Sequence, residues 1–423
     1  MVRAIMPRHS DISAEDGIMT SVYKLQARND VSDMAAPTRA ELVARARAMI
    51  PVLKRRAAAA EAARMVPEET IRDFQEAGFF DILKPKRWGG FEMEPNVFFE
   101  VQMAIGEGCM SSAWVLGVVG VHPLQLGLFD LKAQEDVWSK DPTTLVSSSY
   151  QPVGKVEKTD GGFYLTGQWS FSSGCQHCDW AFLGALVFTE GAPPEYRTFL
   201  VPRSDYQIID TWHTFGLKAT GSHDVKVERA FVPEHRTHKA MDGYLCRNPG
   251  QAVNTGDLFK LPWAAVFTRA VSTASIGAAT DALKSFIEIA KSRVSTNTGM
   301  ATKADPFALS AAANAAAEIE GMKVSLYKIF DDMMATVRQG KDVPADERVF
   351  VKYQASRVAR RCADLVDELL LLSGARGIFT DNEIVRPWLD LKAGRAHIAN
   401  NSNLAGLTLG GSFLGAPVMD TFL

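Results

Sequence analysis

The sequence predicts an α+β chain in three successive zones. An N-terminal helical domain covers 38–142, a middle β domain shaped as a small barrel or sandwich covers 143–240, and a C-terminal four-helix bundle covers 241–423. Three observations carry this. Ala-rich stretches with helical spacing of apolar residues lie on both sides of the centre. The centre itself consists of short apolar or alternating runs between turn signals. Strands and helices do not alternate, which excludes a doubly wound parallel sheet.

Residues 1–37 are polar and read as a flexible arm, with Met6, Met19 and Met34 as alternative starts. Thr38-Arg39-Ala40-Glu41 forms a capping box: the Thr hydroxyl takes a free N–H while the Glu reaches back. A long Ala/Arg-rich amphipathic helix follows. Pro67-Glu68-Glu69-Thr70 opens a second helix, with acids beside the positive end of the dipole, and Gly78 fits its end. Pro85–Gly90 is a turn region.

The runs LVSSSY, GKVEKT, FYLTGQWSFSS, WAFLGALVF, RTFLVP, YQIIDTW and VKVERAFVP point to about eight short strands. Asp160-Gly161-Gly162 reads as a hairpin turn. Four Ala-rich helical segments follow, at 264–292, 307–338, 346–372 and 385–409, with Gly340 and Gly374–Gly377 between them and Pro387 in a first turn.

With 423 residues, 47% of them apolar, the chain has material for a large core. Charged residues make up 22% and the net charge is −3, which calls for neither nucleic acid nor an acidic membrane surface. No apolar run approaches about 18 residues, so no membrane span is expected. The opening MVRAIMPRHSDISAEDG lacks the apolar stretch of a signal peptide, and a cytoplasmic protein is expected.

The five cysteines, Cys109, Cys175, Cys178, Cys246 and Cys362, are too sparse and odd in number for a disulfide framework. Cys175 and Cys178 form a CxxC with no second CxxC and no histidine pair. Its flanks read as strands, whereas a thioredoxin-like pair opens a helix, so structural thiols and no metal are expected. There is no GxGxxG after a strand and no GxxxxGK[ST]. Gly106-Glu107-Gly108 lies in a helical context and lacks the third Gly, so no site for NAD pyrophosphate or ATP phosphates is recognisable.

Five stretches carry a resemblance: SSAWVLGVVGVHPLQLGLFD, LVSSSYQPVGKVE, WSFSSGCQHCDWAFLGA, TWHTFGLKATGSHDVKVERAFVPEHR and GRAHIAN. They resemble the oxygenase components of group D two-component flavin-dependent monooxygenases, which have the acyl-CoA dehydrogenase fold. Among these are the large components of p-hydroxyphenylacetate hydroxylase and of 3-hydroxy-seco-androstatrienedione hydroxylase. The resemblance runs from Thr38 to the end. It implies reduced FMN or FAD delivered by an NAD(P)H-dependent flavin reductase, O2 as co-substrate and a homotetramer. It also implies hydroxylation of a phenolic aromatic substrate through a flavin C4a-hydroperoxide.

The resemblance also assigns roles. His397 in GRAHIAN matches a histidine beside flavin and substrate. His122 and Ser148 match groups on the phenolic oxygen, and the three together are the expected catalytic set. Trp114 matches a residue that walls the flavin ring, and Ser149 lies near its edge. Trp169, Ser172 and Ser173 fall in the strand end that covers the ring, with Ser173 near N5. Arg293 matches an arginine that reaches the flavin phosphate. Ser373 and Gly374 fall where the cofactor tail of a neighbouring subunit is received.

From the residues alone, blander alternatives stand beside these roles. A histidine in an apolar run is usually a satisfied core histidine. The triple Ser can cap a strand end, the Trp residues can be plain core, and Arg293 can be a solvated helix end. His213, His223, His235 and His238 lack metal-ligand spacing. An N-, S- or indole-oxidising monooxygenase on the same scaffold is a rival reading. An acyl-CoA dehydrogenase, with Glu368 or Glu383 as base, is a second, and a flavin-binding protein without chemistry is a third. WLDLK before the last His departs from the Arg-Asp-Ala-His-like text of close relatives, which bears on the substrate more than on the reaction class.

Overall fold

A computed structural model describes residues 36–423. The expected arm, with its alternative starts, lies outside the described residues except for Ala36 and Pro37. The first helical zone holds α1 (Arg39–Ala63), α2 (Glu68–Glu76), α3 (Pro95–Gly106), α4 (Met110–Gly120), α5 (His122–Leu128) and α6 (Leu131–Trp138). Gly78 closes the turn after α2 at φ +79°, a left-handed conformation that side chains with a Cβ resist.

The stretch Met110–Leu128 exceeds the sequence expectation for apolar runs, reaching a mean hydropathy of 1.2 over 19 residues. It is wholly buried inside the protein and is broken between α4 and α5 at Val121. Pro123 lies in the first turn of α5, where its missing N–H costs nothing.

The strands are β1 (Val146–Thr159), β2 (Gly162–Ser172), β3 (Trp180–Val187), β4 (Glu195–Pro202), β5 (Tyr206–Ile209), β6 (His223–Pro233) and β7 (Thr237–Lys239). They hydrogen-bond in the order β5-β6-β2-β1-β3-β4-β7. LVSSSY and GKVEKT form a single 14-residue strand, and its register on β3 shifts between Ser149 and Gly154. The first part of β1 runs parallel to β3, while its last part runs antiparallel to β2. The sheet therefore folds about β1, and Phe163 of β2 meets Phe199 of β4 with ring centroids 5.5 Å apart. Trp169, Leu183, Val201 and Val225 fill the core between the two halves. Cys175 opens a single helical turn, Cys175–His177, between strands, and Cys178 follows it in extended backbone.

The last zone holds α7 (Ala240–Tyr244), α8 (Trp263–Ser292), α9 (Pro306–Arg338), α10 (Ala345–Ser356), α11 (Val358–Leu372), α12 (Val385–Gly394) and α13 (Ser402–Phe413). The four expected segments are present, but the third is interrupted at Arg357 and the fourth at His397. α8 is buried almost all round and packs against α3, α4, α9, α10, α11 and α12. A helix in that position cannot be amphipathic.

Small residues let α3 and α8 touch backbone to backbone. A Cβ on Gly277 would lie 2.3 Å from the Met103 carbonyl oxygen and 2.7 Å from the Gly106 Cα. Gly277→Ala is expected to destabilise the fold by about 1–3 kcal/mol through overpacking. Urea unfolding checks this, and an unchanged midpoint would show that the two helices are free to separate.

Candidate active site

His122 opens α5 with no exposed surface. Its Nδ1 lies 2.5 Å from the Val146 carbonyl oxygen at the start of β1. A carbonyl only accepts, so Nδ1 carries the proton and Nε2 is a bare lone pair. Nε2 is buried and has no partner in the protein. Burial lowers the pKa of the ring to about 4, because its cation would be stranded away from water. His122 thus offers a fixed acceptor. Phe182, Tyr150 and Trp263 surround it, with ring centroids 5.5, 6.3 and 6.4 Å away. Phe267 and Phe422 extend this aromatic wall from Tyr150, at 5.0 and 6.5 Å.

The pleat of β1 divides the triple Ser between two faces. Ser147 and Ser149 lock β1 to β2: Ser172 Oγ donates to Ser147 Oγ at 3.2 Å, and Ser149 Oγ donates to the Ser170 carbonyl at 2.7 Å. Ser148 and Tyr150 share the other face, and the Ser148 side chain bonds the Tyr150 hydroxyl, which also donates to Gln125. Of the three serines, Ser148 alone shares a face with the aromatic wall. Trp169 is fully buried in the sheet's own core, its Nε1–H donating to the Gly184 carbonyl at 2.8 Å.

Trp114, Ser173 and His397 meet on the other side of this serine seam. The Trp114 Nε1–H donates to Ser173 Oγ at 3.1 Å, and the Trp114 and His397 rings meet edge to face with centroids 5.7 Å apart. His397 lies in the break between α12 and α13, not within a helix. Its Nδ1 accepts the Ala399 N–H at 3.1 Å, and Asn401 caps α13. With Nδ1 accepting, the neutral ring must carry its proton on Nε2. Although half-buried, the ring is crowded enough by protein for desolvation to lower its pKa to about 4. The site therefore pairs an acceptor nitrogen on His122 with a donor N–H on His397. Hydrogen bonds, one ring contact and chain neighbours link the two, from His122 through Val146, Ser147, Ser172, Ser173 and Trp114 to His397.

Arg293, Ser373 and Gly374 also come together, but elsewhere. Arg293 NH1 donates to Thr302 Oγ1 at 2.8 Å, and a Cβ on Gly374 would lie 1.9 Å from Arg293 NH2. Ser373 is buried and donates to the Leu369 carbonyl at 2.9 Å. α8 joins the two ends of the system: Trp263 touches His122, and Arg293 caps the opposite end. At 1.5 Å per residue its 30 residues span about 45 Å.

Several residues of the site escaped the sequence reading. Asp390 is 2% exposed and accepts from Leu217 N–H and Ser111 Oγ. Arg360, Lys392, Arg395 and Asn400–Asn403 line a cleft adjoining His397. The Asn400 Oδ1 is buried without a partner. The cations were legible as charges. Their convergence was not, because Arg360 and Arg395 lie on different helical segments far apart in sequence.

These residues fit a flavin. An indole wall beside strand-end hydroxyls suits a planar ring with a polar edge, the cationic cleft suits an anionic tail, and the orphan Asn400 oxygen suits a donor N–H or hydroxyl.

The remaining candidates have ordinary partners. Burial pushes the Cys175 thiol up to about 12 and raises Cys178 well above its usual range, so neither is poised as a thiolate. His235 pairs with Asp136 and His238 with Asn248. Among the described residues no group of His, Cys, Asp and Glu has metal-binding geometry. Glu368 and Glu383 are both exposed, which does not suit a buried proton-abstracting base.

The chain is similar to known proteins in sequence and in fold. Residues 270–402 match the family "Acyl-CoA dehydrogenase, C-terminal domain". The flavin-dependent monooxygenase oxygenase subunit HsaA of Mycobacterium tuberculosis is 37% identical, over 89% of this chain and 95% of that protein. The crystal structure of the 3-HSA hydroxylase from Rhodococcus sp. RHA1 superposes with a TM-score of 0.86 at 35% identity, covering 90% of this chain and 99% of that one. XiaF from Streptomyces sp., solved in complex with FADH2 and glycerol, has a TM-score of 0.83 at 26% identity, covering 93% and 99%.

Proposed function

Since this chain belongs to the oxygenase components of the flavin-dependent monooxygenases, we propose that it hydroxylates a phenolic aromatic ring using reduced flavin and O2. The observation that carries the reading is His122, a buried neutral imidazole whose Nε2 lone pair has no partner in the protein. A buried acceptor left empty is costly, and a phenol O–H is the donor that would satisfy it.

When bound, reduced flavin supplies two electrons to O2, so that one oxygen atom enters the ring and the other leaves as water. The residues of the chain set the rest. His122 Nε2 accepts the phenolic proton in a hydrogen bond and raises electron density on the ring. Ser148 donates or accepts at the same oxygen. Trp263, Phe267, Phe182 and Phe422 hold the ring and keep water out. His397 holds a proton on Nε2 on the flavin side, available to an oxygen that gains negative charge. Trp114 walls the flavin ring, and Ser173 meets its edge.

As an oxygenase component, the chain works with a separate flavin reductase. That reductase draws on NAD(P)H, so the pair belongs in the cytoplasm. Arg293 at the far end of α8, with Ser373 and Gly374 brought beside it from the end of α11, lies too far from the same chain's His122 to serve it, so the three hold the phosphate end of a flavin seated in a neighbouring subunit. Exposed apolar side chains at Leu371 (79%), Ile378 (82%), Leu407 (73%) and Phe413 (74%) suit packing between copies, and the assembly is a homotetramer.

Chemically reduced FMN or FAD, O2 labelled with oxygen-18 and a panel of phenols test the reading. One labelled atom in a catechol-type product is expected. Oxygenation of sulfides or indoles with no phenol turned over would move the protein to the rival oxidations.

A further inference from the structure

Three elements of the site meet on the carboxyl of Asp390. From α12, its Oδ1 accepts the Leu217 N–H at 2.6 Å, and its Oδ2 lies 3.5 Å from Ser111 Oγ on α4, three residues before Trp114. Asp390 lies seven residues before His397 in the chain. The loop carrying Leu217 approaches α12 closely, since a Cβ on Gly216 would lie 2.1 Å from the Leu389 carbonyl oxygen. Leu217 itself is held at φ +52°, a left-handed conformation uncommon for a Leu. Such strain persists only where the surroundings impose it. The nearby cation, Arg386, is engaged with Glu61 at 3.0 Å, so backbone and hydroxyl groups do the holding. Burial raises the carboxyl's pKa to about 7, so the chain bears a cost in keeping it there.

The loop below Leu217 then orders a run of hydroxyls. Thr220 Oγ1 donates to the Leu217 carbonyl at 2.9 Å. Its proton is spent, so at 2.6 Å Ser222 must donate to Thr220. At 2.7 Å Ser173 must in turn donate to Ser222, while it accepts from Trp114 at 3.1 Å. The direction of the whole run is set at the Leu217 end. It leaves Ser173 Oγ with a lone pair and no proton to offer.

We propose that Asp390 is a positioning residue that, by fixing Leu217, holds this one-way hydroxyl run and keeps Ser173 an acceptor toward the edge of the flavin. The inference rests on the flavin-dependent reading above and adds to it a residue remote from the reacting atoms. A merely structural Asp390 would support α12 without affecting what Ser173 presents.

The test uses full-length protein with Asp390→Leu, Asp390→Asn and Thr220→Val. Amide hydrogen exchange over 213–222 is read first, because it needs no flavin. Asp390→Leu is expected to speed exchange there by about tenfold, with α8 unchanged, and Asp390→Asn to restore protection by accepting the same N–H. Product formed per reduced flavin is read second, against hydrogen peroxide released. Asp390→Leu is expected to divert turnover to peroxide and Asp390→Asn to recover coupling. Thr220→Val should uncouple alone, and the Asp390→Leu/Thr220→Val pair should lose no more than the worse single variant.

Normal exchange and coupling in Asp390→Leu would overturn the proposal, as would failure of Asn to rescue or additive losses in the pair. If Asp390→Leu does not fold, the coupling in Thr220→Val decides, and normal coupling there overturns the proposal. A wild-type protein that oxygenates no phenol would sink the substrate reading alone, since the exchange measurements do not depend on it.

Discussion

Replacing His122 with Asn is expected to lower phenol hydroxylation by about 10²–10⁴-fold while leaving reduced flavin binding within a few-fold. An Asn amide can still donate toward the Val146 carbonyl, but it removes the Nε2 lone pair that the aromatic wall encloses. Reduced flavin should still react with O2 and release hydrogen peroxide, because the wall around Trp114 and Ser173 is untouched. His122→Leu would also leave the Val146 carbonyl without its donor, adding about 1–3 kcal/mol of destabilisation. Asn therefore separates chemistry from folding. Rapid-mixing kinetics with product quantification read both quantities. Parallel loss of flavin binding and product would refute the assignment of His122 to the substrate.

The second large effect concerns stability against pH. Burial holds Asp390 at about 7 in the folded chain, against about 4 for an Asp in an unfolded one. A folded pKa above the unfolded one means that the stabilisation is complete below about pH 4 and is lost as pH rises through 7. The loss at pH 8 is a few kcal/mol, at about 1.4 kcal/mol per unit. Asp390→Asn keeps the acceptor and removes the titration, so the variant is expected to be more stable than wild type at pH 8, with the gap closing toward pH 4. His122 and His397 act in the opposite direction. Their pKa values are lowered to about 4, so their contribution is present above about 6.5 and is lost as pH falls through 4. Both proteins should therefore weaken in acid, and they should separate only at higher pH. Urea midpoints at several pH values read this, and equal midpoints at pH 8 would mean that Asp390 is not buried as an acid.

The sequence by itself determined the order of zones, the strand runs and the four helical segments of the bundle. Those are local properties: apolar spacing, capping residues and turn chemistry act over a few residues and survive any tertiary context. The closing turn at Gly78 was legible for the same reason. His122, Ser148 and His397 were legible as polar residues in resembling stretches.

Only the tertiary structure decided what each of them offers. The carbonyl of Val146 makes His122 an acceptor, and the N–H of Ala399 makes His397 a donor. The pleat turns Ser148 toward the aromatic wall and its neighbours toward β2, and the bend of the sheet draws Trp169 into a core of its own. Asp390 stood in the sequence only as part of the divergent WLDLK stretch, and it became a site residue when Ser111 and Leu217 met it from remote parts of the chain. Burial and hydrogen-bond direction belong to pairs of groups, and those pairs exist only once distant segments have packed.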